Sequence, residues 1–114
     1  MADAGFTFNS SAAAQDGYVV MKLSGPLVLT TMFGFQAELQ TNKPPVMIFD
    51  LTDVPYMDSA GVGVLINYYV SAQRSGRRVA VAGANERVDA LLVLTKVREL
   101  LRSYPTLEEA LKKA

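Results

Sequence analysis

The residues best able to do chemistry lie in one short stretch, Asp58-Ser59-Ala60-Gly61-Val62-Gly63. An apolar, strand-like run precedes the stretch and a helical apolar pattern follows it, so we expect Ser59 at the start of a helix. A helix start presents unpaired backbone N–H groups and the positive end of the helix dipole, and both favour an anion. A phosphate on Ser59 would be accommodated there, with Gly61 and Gly63 leaving the approach sterically open, so Ser59 is a candidate phosphoacceptor.

A phosphate on Ser59 would change the charge of this segment sharply. Phosphoserine carries about −1.5 to −2 charges at neutral pH, and the acidic residues Asp58 and Asp53 are close in the sequence. A partner that fits the unmodified hydroxyl would then meet a dianion among like charges. The segment is thus typical of a docking face with an off-switch.

Structural explanations of the same residues stay open at this stage. Asp58 or Ser59 ahead of an apolar run is also an ordinary helix N-cap, worth about 1 kcal/mol. Gly61 and Gly63 in a first helical turn also allow a helix to pack closely on a sheet. The local pattern alone favours plain capping over a switch.

Composition argues against an enzyme. The chain contains neither histidine nor cysteine, so it lacks the usual general base, the commonest metal ligand and any thiolate. Ser59 has no Gly-x-Ser-x-Gly context, and a Ser-His-Asp triad is impossible. The Gly61-Val62-Gly63 run lacks the third glycine of a dinucleotide-binding fingerprint. We predict no catalytic residue and no cofactor.

A metal site has a weak case. Asp50, Asp53 and Asp58 fall in or beside one strand-end loop, and a hard cation binds carboxylate oxygens. Loop carboxylates are far more often solvated turn residues, so we predict no metal site.

Two further clusters have alternative explanations. Arg74, Arg77 and Arg78 surround a Ser75-Gly76 turn, where a solvated turn is favoured over a binding patch. The apolar residues between 27 and 35 exceed what one helix face can bury. They form either core or an exposed patch for a partner.

The bulk properties indicate one domain over residues 1–114. Lys+Arg and Asp+Glu each number 11, so no global charge attracts nucleic acid or anionic lipid. No apolar stretch is long enough to span a membrane. Met1–Gly5 shows neither the basic nor the apolar part of a signal peptide, so a cytoplasmic location is expected.

The elements around Ser59 follow a β-β-α-β-α-β-α-α order. Asp16-Gly17 predicts a hairpin between the first two strands. Val46–Leu51 is nearly continuously apolar, as in a strand covered on both faces, and a helix then leads to a parallel strand at Val79–Ala82. Asn85 and Thr106 are N-cap residues for two later helices. We predict an α/β fold with a mixed four-stranded sheet and helices mainly on one side.

The run from Val46 to Thr52 followed by Tyr56 to Leu65 resembles the signature of the STAS domain, found in bacterial anti-sigma factor antagonists and in sulfate transporters. Residues 23–25 and 104–111 resemble the family too, so the similarity covers nearly the whole chain. It implies that Ser59 is phosphorylated by an anti-sigma factor that is also a kinase, and that Asp58 orients Ser59. Phosphorylation would release the antagonist from that kinase, which would itself hold the ATP and Mg²⁺.

The sequence departs from the family at two places. Family members often carry acidic residues after Gly25, whereas this chain has Pro26, Leu27 and Val28, so we expect a more apolar partner surface. Lys96 stands where many relatives have glycine. We predict that an anti-sigma factor serine kinase binds through Asp58, Ala60, Gly61, Gly63, Pro26, Leu27 and Val28.

The apolar surface also supports a rival function. A STAS domain that is never phosphorylated would serve as a scaffold in a signalling assembly or beside a transporter, and constitutive interfaces tolerate more apolar area than transient ones. The sequence leaves the oligomeric state open.

Overall fold

The structure is a computed structural model that describes residues 5–114. The expectation about a signal peptide rests on residues 1–5, and residues 1–4 lie outside the described part. The strands are β1 Thr7–Ala12, β2 Tyr18–Ser24, β3 Val46–Asp53, β4 Arg78–Ala82 and β5 Arg102–Tyr104. The helices are α1 Phe33–Leu39, α2 Ser59–Arg74, α3 Glu86–Leu94 and α4 Leu107–Lys113, with a 3₁₀ turn at Val97–Glu99.

The strands form one mixed sheet in the order β1-β2-β3-β4-β5. β1 and β2 are antiparallel, and the predicted turn contains Gly17 at φ +83°, a value that glycine adopts without a steric penalty. β2, β3, β4 and β5 are mutually parallel. The mixed α/β fold and the β3–α2–β4 crossover are confirmed.

The predicted strand count of four is wrong, because β5 adds a fifth strand at the edge. β5 is only three residues long and pairs with β4 in the register Ala80↔Arg102 to Ala82↔Tyr104. Its Arg-Ser-Tyr sequence has no apolar alternation. It is a strand because its backbone groups pair with the otherwise open edge of β4.

The central strand β3 is buried on both faces along Val46–Leu51, which explains why this part of its sequence is nearly continuously apolar. Met47, Phe49 and Leu51 belong to the main core, to which α1, α2 and α3 also contribute. Val46 and Ile48 belong to a smaller core on the other face with α4. Three of the four helices therefore share one side of the sheet, as predicted.

Both predicted caps are present. The Asn85 side chain accepts a hydrogen bond from the Val88 N–H at 2.8 Å, and the Thr106 hydroxyl accepts one from the Glu109 N–H at 3.1 Å. In the described residues 5–114, no helix has the length and apolar character needed to cross a membrane.

The sheet topology brings three loops to one edge. The loops that follow β2, β3 and β4 all leave the carboxyl ends of parallel strands, so residues 25–32, 54–58 and 83–85 are neighbours. A Leu27↔Met57 bridge joins the first two loops. The Asn85 amide joins the third by donating to the carbonyl oxygens of Val54 and Pro55 at 3.3 and 3.2 Å.

Candidate functional site

Ser59 is the first residue of α2, and its side chain is exposed. The helix is capped by Asp58, which has extended backbone and accepts a hydrogen bond from the Gly61 N–H at Oδ1, 2.9 Å away. Within residues 5–114 the Ser59 hydroxyl has no hydrogen-bond partner. Capping and exposure are thus divided between two adjacent residues, so the Ser59 hydroxyl is not needed to cap the helix.

The Asp58 carboxylate also holds the neighbouring loop. Its Oδ2 accepts a hydrogen bond from the Leu29 N–H at 3.0 Å. Burial alone would raise the pKa of Asp58, but the hydrogen bonds from the Gly61 and Leu29 backbones outweigh it and bring the pKa below its ordinary value. Asp58 therefore stays ionised at neutral pH and fixes Leu29 beside the start of α2.

Thr31 holds the same loop from the other side, and sequence reasoning missed it. Its buried hydroxyl donates to the Pro26 carbonyl oxygen at 2.7 Å and accepts from the Val28 N–H at 3.0 Å. A threonine three residues after an apolar loop residue is the only local signal, and such turns are common. Thr31 and Asp58 together give residues 26–29 a defined backbone.

The structure separates the sequence-predicted docking residues into two groups. Pro26, Val28, Ala60 and Gly63 are partly exposed. Leu27 is fully buried in the main core and Gly61 is buried beneath the loop. The prediction that Leu27 and Gly61 contact a partner is therefore corrected, because both are covered by the protein's own chain.

The apolar segment between residues 27 and 35 likewise divides. Leu27 and Phe35 are fully buried core residues, whereas Leu29 is 52% exposed and Phe33 is 59% exposed. Some residues of the segment are therefore core and others are exposed at the surface, so each of the two explanations holds for part of the segment. Leu29 is the exposed apolar residue tied directly to Asp58, next to Ser59.

An exposed aromatic residue adds to this surface and escaped the sequence analysis. Tyr56 is 39% exposed, and the Arg87 guanidinium lies 5.0 Å from its ring centroid, within the range of a cation–π contact. The Tyr56 carbonyl oxygen accepts from the Leu27 N–H at 3.2 Å. We call the exposed residues Leu29, Phe33, Tyr56 and Ser59 the Ser59 face.

The three aspartates considered for a metal are engaged elsewhere. Asp50 is buried and accepts from the Thr52 hydroxyl at 2.6 Å, and Lys22 Nζ lies 3.5 Å from Asp50 and 3.1 Å from Asp53. The hydrogen bond to Asp53 is the main cause of a raised pKa at Lys22. Among the described residues no group of three or more acidic side chains is placed to hold a metal ion.

The comparisons with known proteins agree with this architecture. The family model of the STAS domain matches residues 9–110. A Thermotoga maritima protein named as a candidate anti-sigma factor antagonist is 36% identical over 61 residues, which cover 54% of this chain and 54% of that protein. The match thus spans about half the length of this curated relative.

Solved structures share the fold over nearly the whole chain. An anti-sigma factor antagonist from Mycobacterium paratuberculosis has a TM-score of 0.85 at 22% identity, with 98% of this chain and 97% of that chain covered. The Bacillus cell fate determinant SpoIIAA in its phosphorylated form has a TM-score of 0.73 at 18% identity, with 94% and 98% covered.

Fold and site together define a small α/β domain with an exposed serine at the capped start of its central helix. The chain belongs to the STAS domain family.

Proposed function

We propose that the protein is an anti-sigma factor antagonist that docks through the Ser59 face onto an anti-sigma factor serine kinase and is released when Ser59 is phosphorylated. The observation that carries the proposal is the exposed, unbonded Ser59 hydroxyl beside an Asp58 that already caps the helix. The name of the Thermotoga relative and the existence of phosphorylated SpoIIAA support the same function.

The Ser59 face has the composition of a docking surface. Leu29, Phe33 and Tyr56 expose apolar area at the edge of the sheet where the uncharged Ser59 begins α2. Aromatic residues at the centre of a contact often contribute most of the binding energy. Because Leu29 is bonded to the Asp58 carboxylate, the apolar surface has a fixed position relative to Ser59.

A phosphate would oppose that contact for two physical reasons. It would place about −1.5 to −2 charges within an apolar contact, where desolvating a dianion is costly. It would also stand next to the ionised Asp58 carboxylate. Docking and phosphorylation are therefore expected to be mutually exclusive, which is the requirement for a switch.

The test is binding of the full chain to a purified anti-sigma factor serine kinase from its own host. A Ser59→Asp variant should lose affinity by at least about tenfold, while Ser71→Asp, an exposed serine on the same helix, should bind as the parent does. Equal loss in both variants, or no loss in either, would contradict a switch at Ser59.

Constitutive scaffolding is the second function, and the exposure of Leu29 and Phe33 is the observation that favours it. A scaffold would form a stoichiometric complex or homo-oligomer in gel filtration that Ser59→Asp leaves unchanged. The Leu29→Ser variant should weaken either kind of complex, so Ser59→Asp is the variant that discriminates.

A further inference from the structure

A cavity lined by three arginines lies at the opposite end of α2 from Ser59. It has a volume of about 220 Å³ and is lined by Arg77, Arg78 and Arg102 together with Tyr69 and Leu100. α2 has 16 residues, and at about 1.5 Å per residue the helix separates the two ends by about 24 Å. The cavity is therefore spatially distinct from the Ser59 face.

The sheet register brings two of these arginines together. Arg102 on β5 pairs with Ala80 on β4, and Arg78 precedes Ala80 by two residues, so Arg78 and Arg102 lie on the same face of adjacent strands. The sequence placed Arg77 and Arg78, together with Arg74, around the Ser75-Gly76 turn. Arg102 joins them through a strand that the sequence did not reveal.

The cationic charge of this cavity is not balanced by acidic side chains. In residues 5–114, no Asp or Glu forms an ion pair with Arg77, Arg78 or Arg102, although other surface charges are paired. Ala114 also lines the cavity, and its carbonyl oxygen accepts from the Tyr18 hydroxyl. Even a carboxylate at Ala114 would leave an excess of positive charge.

Hydrogen-bonding capacity is also left over. Arg77 Nη1 donates to the Tyr68 hydroxyl at 3.1 Å, but Arg77 Nη2 is buried without a partner within residues 5–114. Arg78 Nη2 donates to the Tyr18 hydroxyl at 3.3 Å, and an arginine has five N–H donors. Most guanidinium donors of the exposed Arg78 and Arg102 therefore remain available to a ligand.

We propose that this cavity binds a phosphate group of a small molecule through Arg78 and Arg102, with Arg77 contributing further positive charge. Guanidinium groups match phosphate oxygens in a two-pronged geometry and hold their charge at every physiological pH. The side chains of Tyr69 and Leu100 provide an apolar wall beside the cationic one. The site is independent of phosphorylation at Ser59.

The test is an NMR titration of the ¹⁵N-labelled full chain with inorganic phosphate, against potassium chloride at equal ionic strength. We expect saturable shifts at the amide and guanidinium signals of Arg77, Arg78 and Arg102. The Arg78→Gln/Arg102→Gln double variant should weaken binding by at least about tenfold. Arg74→Gln removes a nearby arginine that does not line the cavity and should leave binding unchanged.

Shifts that do not saturate, that chloride reproduces, or that Arg74→Gln reduces as much as the double variant would overturn the proposal. Both cavity arginines that are replaced are exposed, so thermal melting should show a folded double variant. Binding to vesicles of phosphatidylglycerol is measured separately. If the protein binds these vesicles but not free phosphate, the arginine cluster binds a lipid surface rather than a small molecule, and the proposed cavity site is overturned.

Discussion

Gly61 lies directly beneath the carbonyl oxygen of Leu27: a Cβ atom at Gly61 would lie 2.2 Å from that oxygen. Any side chain at residue 61 would therefore push the Pro26–Leu29 loop away from α2. At Gly63, a Cβ atom would meet nothing within 4 Å. The two glycines of the motif thus have different physical causes, although only Val62 separates them in the sequence.

Alanine substitution should separate the two glycines. Gly61→Ala is expected to destabilise the fold by about 1–3 kcal/mol, because it overpacks the contact with Leu27. Gly63→Ala is expected to stabilise it by about 0.5–1 kcal/mol, since alanine loses less backbone entropy in a helix. Urea denaturation of both variants checks this, and equal effects on the free energy of unfolding would contradict the packing role of Gly61.

Because Asp58 caps α2 and Ser59 does not, alanine substitution at Asp58 should lower the free energy of unfolding much more than alanine substitution at Ser59. Asp58→Ala removes the cap and the bond to Leu29, so the free energy of unfolding should fall by about 1–2 kcal/mol. Ser59→Ala should change it by less than about 0.5 kcal/mol. If Ser59→Ala costs as much as Asp58→Ala in chemical denaturation, then Ser59 is a structural cap rather than a free hydroxyl.

Tyr68 connects α2 to the loop before β3 and should limit stability at alkaline pH. Burial raises the pKa of Tyr68, and the hydrogen bond from Arg77 opposes that rise only in part. A raised pKa stabilises the fold below the ordinary tyrosine value of about 10, and this contribution is lost as pH rises through the folded pKa. The loss should be visible as a fall in the melting temperature between about pH 8 and 11, a range chosen around the ordinary tyrosine pKa.

The matched variant for that measurement is Tyr68→Phe. The change leaves the Asn42 carbonyl oxygen and Arg77 Nη1 without their partner, so it should cost about 1–3 kcal/mol near neutral pH. It should also reduce the alkaline fall in stability. An unchanged alkaline limb in Tyr68→Phe would assign that fall to other groups.

Lys96 is the one described non-glycine residue with a left-handed backbone, at φ +67°. Glycine adopts this conformation without the Cβ penalty, so Lys96→Gly should stabilise the fold by about 1 kcal/mol. The exposed ion pair with Glu99 at 3.8 Å contributes little and its loss should not offset the gain. Lys96→Ala keeps the Cβ atom and should give no gain in denaturation, and a gain of equal size would contradict the backbone explanation.

Local signals in the sequence predicted most of the frame that positions Ser59. The Asp16-Gly17 hairpin, the doubly buried β3 and the start of α2 each depend on residues adjacent in sequence. The same holds for the caps at Asn85 and Thr106. These features were predictable because turn geometry, burial periodicity and capping act over a few residues.

The features that escaped prediction depend on residues distant in sequence. β5 exists through its pairing with β4, and Leu27 is buried through its bridge to Met57. The Tyr56–Arg87 contact joins the loop after β3 to the first turn of α3, which lies about thirty residues further along the chain. Local pattern could not divide the apolar segment into core and surface, because the division follows which loop covers each side chain.

The phosphorylation state of Ser59 in the native host tests the central proposal most directly. Intact mass and tandem fragmentation of the protein purified from resting and stressed cells would measure it. The proposal predicts one added phosphate, localised to Ser59, whose occupancy changes with condition. Ser59 unmodified in every state, or a phosphate confined to another residue, would contradict the switch and leave constitutive scaffolding as the better explanation of the Ser59 face.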